Sequence, residues 1–309
     1  MSFAAIMPQA LRSGKPRQSR ADSRFPLSGM SGCREHDVML SSAIMMELPY
    51  RHRASILLCG LALVVTAGPA IAAGCAFEAQ GEGRVAAVID ARTFRLQDGR
   101  EVRLAGIEPV YSEKPEGEAA DRTSALAAIV SGHEVTLAGQ DDTPDRYGRQ
   151  PAFVYLDHSD TLVQSLLLAQ GDALVSATVT SKDCASVLAA AEAAARQAKR
   201  GTWADSSAIK NAESADDILA GIGRFMVVEG KVLSVRQAGA TTYLNFGRNW
   251  TQGFAVTISR RMITAFEAAG IVPKSLENQR IRVRGWVEAR GGPRIEALRV
   301  GQIELLGEN

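Results

Sequence analysis

The sequence is poor in the residues that usually build metal-binding centres. It holds only four cysteines and four histidines in 309 residues. Two of the histidines, His133 and His158, stand alone, and no Cys/His spacing typical of a zinc site is present. Glycine-rich phosphate-binding patterns and the nucleophile turn of serine hydrolases are also missing. These absences argue against a zinc enzyme, a dinucleotide-binding oxidoreductase, a P-loop protein and a serine hydrolase.

Long apolar runs are scarce too. The run Ile56–Thr66 is too short to favour a permanent membrane span. It follows the basic residues Arg51 and Arg53 and precedes Ala70-Ile71-Ala72, an order typical of a secretory signal peptide. We therefore predict a signal peptide at about residues 46–73 and an exported protein, periplasmic or secreted, whose mature form has no membrane span. A buried helix is the alternative for the same run.

Removal of the signal peptide and of the unpatterned extension before it, residues 1–72 together, leaves two cysteines, Cys75 and Cys184. An even pair in an exported protein predicts a disulfide. Lipidation of Cys75 is the alternative, although Ala72-Ala73-Gly74-Cys75 lacks the large aliphatic residue that usually opens a lipoprotein signal.

Charge divides the rest of the chain. Residues 73–220 hold 14 Lys/Arg against 23 Asp/Glu, whereas residues 221–309 hold 13 against 7. The Ser/Ala/Asp-rich stretch between these parts is typical of a linker or a short connecting helix. We therefore predict a domain at 74–205, a linker at 206–220 and a second domain at 221–309.

Both domains are predicted to be mainly β with some α, an α+β fold class. In the first, alternating patterns predict strands and helices; the strands are about 82–90, 92–97, 100–107, 134–138 and 151–157, and the helices 116–131, 161–170 and 183–199. In the second, the strands are 224–235, 241–246, 253–258, 280–288 and 293–298, with a helix at 260–269. Five short strands with helical cover predict a five-stranded OB-fold barrel, followed by a second OB-like barrel.

Several motifs in the first domain make the expectation specific. They are "VIDARTFRL", "VRLAGIEP", "DRYGR" before an apolar strand, "LVQSLLLAQGDALV" and "AEAAARQAKRGTW". In this order and spacing, over about residues 82–203, the chain resembles the staphylococcal nuclease (thermonuclease) family of OB-fold nucleases. The resemblance implies hydrolysis of phosphodiester bonds in DNA or RNA with Ca²⁺ as cofactor.

The calcium half of the family site is altered here. By the resemblance, Asp90 is a supporting residue, and the next calcium-ligand Asp falls on Arg92. A guanidinium at that position removes a ligand and adds like-charge repulsion. The other ligand Asp falls on Glu108, and the general-base Glu falls on Tyr111, which we expect not to act as a base. Glu113 is close enough in sequence to substitute for it.

The anion-binding half is retained. Arg103 and Arg149 match the two arginines that clamp the phosphate, and Thr93, Asp145 and Tyr147 are kept as well. Guanidinium groups suit this role because they bind phosphate through paired hydrogen bonds. An alternative is that these arginines only pair with acidic neighbours.

Three hypotheses follow. The first is a non-catalytic or weakly active binding module for a phosphate-containing or anionic ligand, in which Arg92 fills the vacated metal site and no cofactor is needed. The second is a Ca²⁺-dependent nuclease that uses Asp90, Glu108 and Glu113 in a rearranged site. The third is a structural or interaction protein of the envelope, with a protein partner and with its two domains packed through opposite charges.

Aromatic residues are interleaved with arginines in the second domain. Trp250, Trp286, Tyr243 and Phe246 lie near "RNW", "RIRVRGW" and "EARGGPR". Such a pattern could stack the bases of single-stranded nucleic acid. The alternative is that the aromatic residues are core and the arginines of "IRVRGWVEAR" alternate onto the solvent face.

Overall fold

The computed structural model describes residues 74–110, 115–249 and 252–307. The predicted N-terminal extension and signal peptide lie outside these residues, as do Tyr111, Glu113 and Trp250. No helix in the described part of the chain is long and apolar enough to cross a membrane.

A closed five-stranded barrel forms the first part of the structure, as predicted. The elements of this part are β1 (Glu78–Asp90), β2 (Thr93–Leu96), β3 (Glu101–Leu104), β4 (Ile107–Pro109), α1 (Pro115–Val130), β5 (Glu134–Gly139), β6 (Gln150–Leu156), α2 (Val163–Gln170), β7 (Ala173–Val175) and α3 (Lys182–Gln197). The barrel order is β1-β2-β3-β6-β5, and β3 and β6 run parallel. The short strands β4 and β7 form a separate antiparallel pair.

Local sequence explains the barrel's hairpin. The turn between β2 and β3 contains Asp98-Gly99, and Gly99 has a φ of 90°, which favours glycine. The Asp98 carboxylate accepts a hydrogen bond from the backbone N–H of Arg100 at 3.0 Å. The alternating residues then place Phe94, Leu96, Val102 and Leu104 in the barrel core.

Two cross-links fasten the helices to the barrel. Gln164 of α2 is fully buried; its side chain accepts from Val154 N–H at 3.2 Å and donates to the carbonyl of Ala152 at 2.9 Å. The predicted disulfide is present between Cys75, just before β1, and Cys184 on α3, with a Cα–Cα distance of 4.1 Å.

The second part of the structure is an eight-stranded sheet. Its elements are β8 (Ile209–Asn211), α4 (Ala215–Leu219), β9 (Phe225–Lys231), β10 (Ser234–Ala238), β11 (Thr241–Asn245), β12 (Ala255–Ser259), α5 (Arg260–Ala268), β13 (Arg280–Ala289), β14 (Pro293–Glu296) and β15 (Ile303–Leu306). The strand order is β10-β11-β12-β14-β13-β9-β8, and β15 pairs with β13. A second sheet is therefore present, but a second OB-like barrel is not confirmed.

The stretch 206–220, predicted as a linker, carries structure of its own. It contains β8, which pairs in parallel with β9, and the short helix α4. Ala212 and Ile218 are buried in the core of the second sheet. Sequence composition indicated a linker because these two apolar anchors are widely spaced among polar residues.

The barrel and the second sheet share an apolar cluster. Val110, Leu174 and Trp203 from the first part pack with Phe225 and Val227 of β9.

A buried ion pair stands beside this cluster. Arg284 of β13 donates to Glu192 of α3 at 3.0 Å and to the carbonyl of Val175 at 3.1 Å, and the Val175 N–H donates to Glu192 at 2.8 Å. A second guanidinium nitrogen of Arg284 lies 2.9 Å from the other Glu192 oxygen. The alternation of "IRVRGW" thus points Arg284 at the barrel and not at solvent.

Candidate phosphate-binding site

Arg92 lies in the turn between β1 and β2, and the turn fixes its backbone. Its N–H donates to the Asp90 carboxylate at 2.9 Å, and its carbonyl accepts from the Leu104 N–H at 2.8 Å. Asp90 and Thr93 are paired at the end of the hairpin. The Arg92 side chain is thereby anchored between β1 and β3.

The guanidinium of Arg92 forms an ion pair with Glu108. Glu108 is only 6% exposed, and β4 positions it by pairing with Leu174 of β7. The Arg103 guanidinium lies 3.6 Å from the other Glu108 oxygen. Glu108 is therefore enclosed by two cations.

Burial dominates the electrostatics of this pair. Loss of solvent raises the pKa of Glu108, while the charges of Arg92 and Arg103 oppose that rise. Burial likewise lowers the pKa of Arg92, and the attraction of Glu108 opposes the change. The ion pair thus offsets part of the cost of burying the two charges.

A second arginine, Arg149, is held by the turn before β6. It donates to the Asp145 carboxylate through Nε at 3.0 Å and through Nη2 at 2.7 Å. These bonds lower the pKa of Asp145 to about 2. The Tyr147 ring is 64% exposed and lies 4.9 Å from the Arg149 guanidinium carbon.

Strand pairing brings Arg103 and Arg149 to the same edge of the barrel. The parallel register pairs Arg103 with Pro151, two residues after Arg149. The charge of Asp90 contributes to raising the pKa of Arg149, after the larger effect of its hydrogen bonds with Asp145. The two sequence motifs therefore lie on neighbouring strands.

The sequence analysis did not single out Arg146. Its guanidinium carbon lies 4.7 Å from the centre of the Tyr147 ring, and it donates to the Tyr147 hydroxyl at 2.6 Å. Tyr147 therefore contacts two arginines. In the sequence, only the adjacency of Arg146 and Tyr147 in "DRYGR" could have indicated the contact between Arg146 and the Tyr147 ring.

Two buried polar atoms at the site lack partners. Thr93 and Arg103 pair across β2 and β3, and the Thr93 hydroxyl and the Arg103 Nε are buried with no hydrogen-bond partner among the described residues. Buried donors of this kind are costly unless water or a ligand satisfies them. A hydroxyl and a guanidinium N–H both suit an anion.

The carboxylates do not fit a calcium ion. Calcium takes six to eight oxygen ligands, yet Glu108 is paired with Arg92, and an Asp90 oxygen accepts the Arg92 N–H. Within residues 74–110, 115–249 and 252–307, no group of three or more His, Cys, Asp or Glu side chains could hold a metal ion. Tyr111 and Glu113, the positions relevant to a general base, lie outside the described residues.

Comparison with known proteins identifies the first part of the structure. Residues 101–205 match the model of the family described as staphylococcal nuclease homologue. This stretch covers β3 to α3 and includes Arg103, Glu108 and Arg149; the hairpin residues Asp90, Arg92 and Thr93 precede it. A search of curated proteins found no match.

Proposed function

Starting from the staphylococcal-nuclease-like domain at residues 101–205, we propose that the protein is a binding module for phosphate-containing ligands that does not depend on calcium and does not cleave them. The observation that carries this proposal is the ion pair between Arg92 and Glu108. A cation built into the chain stands where the family resemblance calls for a metal ligand.

Charge at the site explains why calcium would be excluded. A divalent cation near Glu108 would meet Arg92 and Arg103 within a partly desolvated pocket, where like-charge repulsion is strong. Displacing Arg92 would also leave a buried guanidinium without its partner. The chain's own arginine thus neutralises Glu108.

Binding of a phosphate would use the groups that remain. Arg103 and Arg149 keep side chains that are 28% and 20% exposed, so each can reach a ligand at the surface. The unpartnered Arg103 Nε and Thr93 hydroxyl supply further donors. Arginine recognises phosphate oxygens through its planar array of N–H groups.

Cleavage would also need a base, and the sequence offers tyrosine where the resemblance calls for glutamate. The loss of a carboxylate at that position supports binding without hydrolysis.

The test measures binding and cleavage on one probe. Purified protein is mixed with a labelled, 5′-phosphorylated single-stranded oligonucleotide, with Ca²⁺ or with EDTA. We expect the same binding affinity with Ca²⁺ and with EDTA. We also expect the oligonucleotide to remain intact in both mixtures. Arg149→Ala and Arg103→Ala should each weaken binding about 10- to 100-fold, from ~1.5–3 kcal/mol for hydrogen bonds to a charged group.

The matched control is Arg95→Ala. Arg95 also lies in the barrel, but its ion pair with Glu101 is exposed, and we expect unchanged affinity. Calcium-dependent cleavage that Arg149→Ala abolishes would overturn the proposal in favour of a working nuclease. No binding of any anionic probe would favour a structural role.

We also propose that the protein works outside the reducing cytosol. The Cys75–Cys184 disulfide supports this, because such bonds persist in oxidising compartments. Thiol labelling of protein from fractionated cells is the check: the periplasmic or secreted fraction should resist labelling until a reductant is added. Protein found only in the cytosol with both thiols free would contradict export.

A further inference from the structure

The second sheet has one apolar and one polar face. Leu244, Val256, Ile295 and Val287 point into the core of the sheet and are at most 1% exposed. Side chains alternate along a strand, so the neighbours of these residues lie on the opposite face. That opposite face is polar and rich in arginine and aromatic residues.

One end of the polar face is already occupied. Arg284 and Val227, which are paired across β13 and β9, contact the barrel through the buried ion pair and the shared apolar cluster. Arg282 is also engaged, since it pairs with Glu229 at 2.6 Å and with Glu304 at 2.8 Å. These arginines are therefore structural.

The rest of the polar face, which begins at Trp286 beside the occupied end, presents aromatic residues next to arginines. Trp286 is 48% exposed and makes an edge contact with Phe225 at a centroid distance of 6.0 Å. Tyr243 is half-buried; it pairs with the exposed Arg236 across β10 and β11, and the Arg294 guanidinium carbon lies 5.5 Å from its ring centre. The Arg294 Nε is buried without a hydrogen-bond partner among the described residues.

The sheet order sets the spacing of these groups. Tyr243 lies on β11 and Trp286 on β13, with β12 and β14 between them. Three strand spacings correspond to about 14 Å. Two aromatic rings that far apart can each stack on a base of one extended strand. In the strand register Thr257 and Glu296 lie between them, and the Arg294 guanidinium lies beside Tyr243.

We propose that this face, formed by Arg236, Tyr243, Trp286 and Arg294, binds single-stranded nucleic acid by stacking. Charge complementarity supports this occupant, since residues 221–309 hold 13 Lys/Arg against 7 Asp/Glu. Every base has an aromatic face, so the binding tolerates many sequences. The site is separate from the barrel's phosphate-binding site and does not depend on it.

Acidic residues on the same face define the mode of binding. Glu288 pairs with Arg294 in the strand register and lies 3.4 Å from Arg290, and Glu296 is paired with Thr257. They offset part of the positive charge, so few phosphates are neutralised. Affinity should then depend weakly on salt, and a duplex, whose bases are already stacked, should bind less well.

The experiment uses the intact chain and a labelled oligothymidylate of about 12 nucleotides, within the site sizes usual for such surfaces. Binding is followed by anisotropy and by quenching of tryptophan fluorescence. Trp286→Ala should weaken binding about 5- to 150-fold, the range that corresponds to ~1–3 kcal/mol per stacked base. Tyr243→Ala should act in the same direction, and Trp286→Phe should restore most of the loss because it keeps a stacking ring.

Two controls separate this site from others. Arg261→Ala removes a charge on α5 away from this face and should leave the affinity unchanged. The titration is repeated with saturating inorganic phosphate, which should occupy the barrel's phosphate-binding site and leave stacking of oligothymidylate at this face intact, so failure of the phosphate proposal would not affect this one. Each variant's circular dichroism spectrum and unfolding midpoint confirm that it is folded.

Three results would overturn the proposal. The first is that Trp286→Ala binds the oligonucleotide as tightly as the unchanged protein does. The second is that the protein binds duplex more tightly than single strand. The third is that Arg261→Ala loses as much affinity as Trp286→Ala. Competition by inorganic polyphosphate as strong as by oligothymidylate would show charge recognition without stacking and would also contradict it.

Discussion

Two arginine–glutamate pairs in the described part of the chain lie in different surroundings. Arg284 and Glu192 join the second sheet to the barrel, and their side chains are 8% and 2% exposed. Arg92 and Glu108 join the turn between β1 and β2 to β4 at the candidate site, with side chains 15% and 8% exposed. The first pair also bonds both backbone groups of Val175.

The two pairs differ in how many of their hydrogen-bonding groups have partners. Glu192 accepts from Arg284 and from the Val175 N–H, and Arg196 lies 3.6 Å away. Glu108 has Arg92 and, at 3.6 Å, Arg103, whose Nε is left without a partner. A satisfied pair indicates a structural joint, whereas unused donors beside a pair indicate a place for a ligand.

The largest effect is expected from breaking the joint. Arg284→Met leaves the buried Glu192 with only the Val175 N–H and Arg196 at 3.6 Å, so the free energy of unfolding should fall by ~3–5 kcal/mol. Chemical denaturation measures this. Arg280→Met is the matched control on the same strand. Because Arg280 is exposed, this substitution should lower the free energy of unfolding by less than ~0.5 kcal/mol.

A double variant sharpens that result. Glu192→Met combined with Arg284→Met removes both charges and should recover part of the lost stability, since no buried charge is left unpaired. If the two single losses simply added, the pair would not be coupled and the joint would rest on the apolar cluster alone.

Breaking the site pair should cost less. Arg92→Met leaves Arg103 near Glu108, so we expect a loss of ~1–3 kcal/mol. The loss should depend on pH. Glu108 already has a raised pKa, and without Arg92 it should rise further.

The sign of that dependence follows from linkage. A carboxyl whose folded pKa exceeds its unfolded value binds more protons when folded, so stability falls as pH rises from the ordinary value of 4.5 through the raised pKa. Denaturation of Arg92→Met from acidic to neutral pH should show a deficit that grows with pH. A deficit independent of pH would mean that Glu108 does not carry the effect.

A smaller gain is expected from changing the cation into a ligand. Arg92→Asp places a carboxylate beside Glu108 and Asp90. We expect this variant to bind calcium about tenfold more tightly than Arg92→Met does, equivalent to ~1.4 kcal/mol. Calorimetric titration measures it, with Arg92→Met as the control that only removes the positive charge. Equal calcium affinity in both variants would show that position 92 does not govern metal binding.

The smallest effect concerns the half-buried pair of Asp145 and Arg149 beside the site. Asp145 has a pKa of about 2 because Arg149 donates to it, so its stabilising effect is present above its ordinary value of 3.8 and is lost as pH falls through about 2. The stability difference between the unchanged protein and Asp145→Asn should therefore shrink in strong acid. A constant difference down to that pH would argue against the ion pair as its source.

The barrel was largely predictable because its signals are local. Strand alternation and the Asp98-Gly99 turn placed β1 to β3, and the observed helices α1 to α3 begin and end within about two residues of the predicted ones. That Arg103 and Arg149 serve one site stays a prediction of the motif spacing, and the parallel pairing of β3 and β6 agrees with it. These features depend on neighbours in sequence or on a repeated family pattern.

The remaining features depend on distant contacts. Glu192 and Arg284 are 92 residues apart, and "IRVRGW" fits a solvent-facing alternation equally well until the barrel is placed against it. Residues 206–220 became part of the sheet through β8, whose three residues give too short a pattern to detect. Sequence alone also could not show that Arg92 would reach Glu108.

The Cys75–Cys184 bond closes a covalent ring between residues 109 positions apart in the sequence, and Asp90, Arg92, Glu108 and Arg149 all lie inside it. A pulling force applied to the two ends of the chain would pass through the sulfur atoms and bypass the ring. Extension of the molecule would then fall short of the full contour by roughly 360 Å, at ~3.3 Å per residue. The second sheet could be unravelled under tension while the arginines that surround Glu108 carried no load.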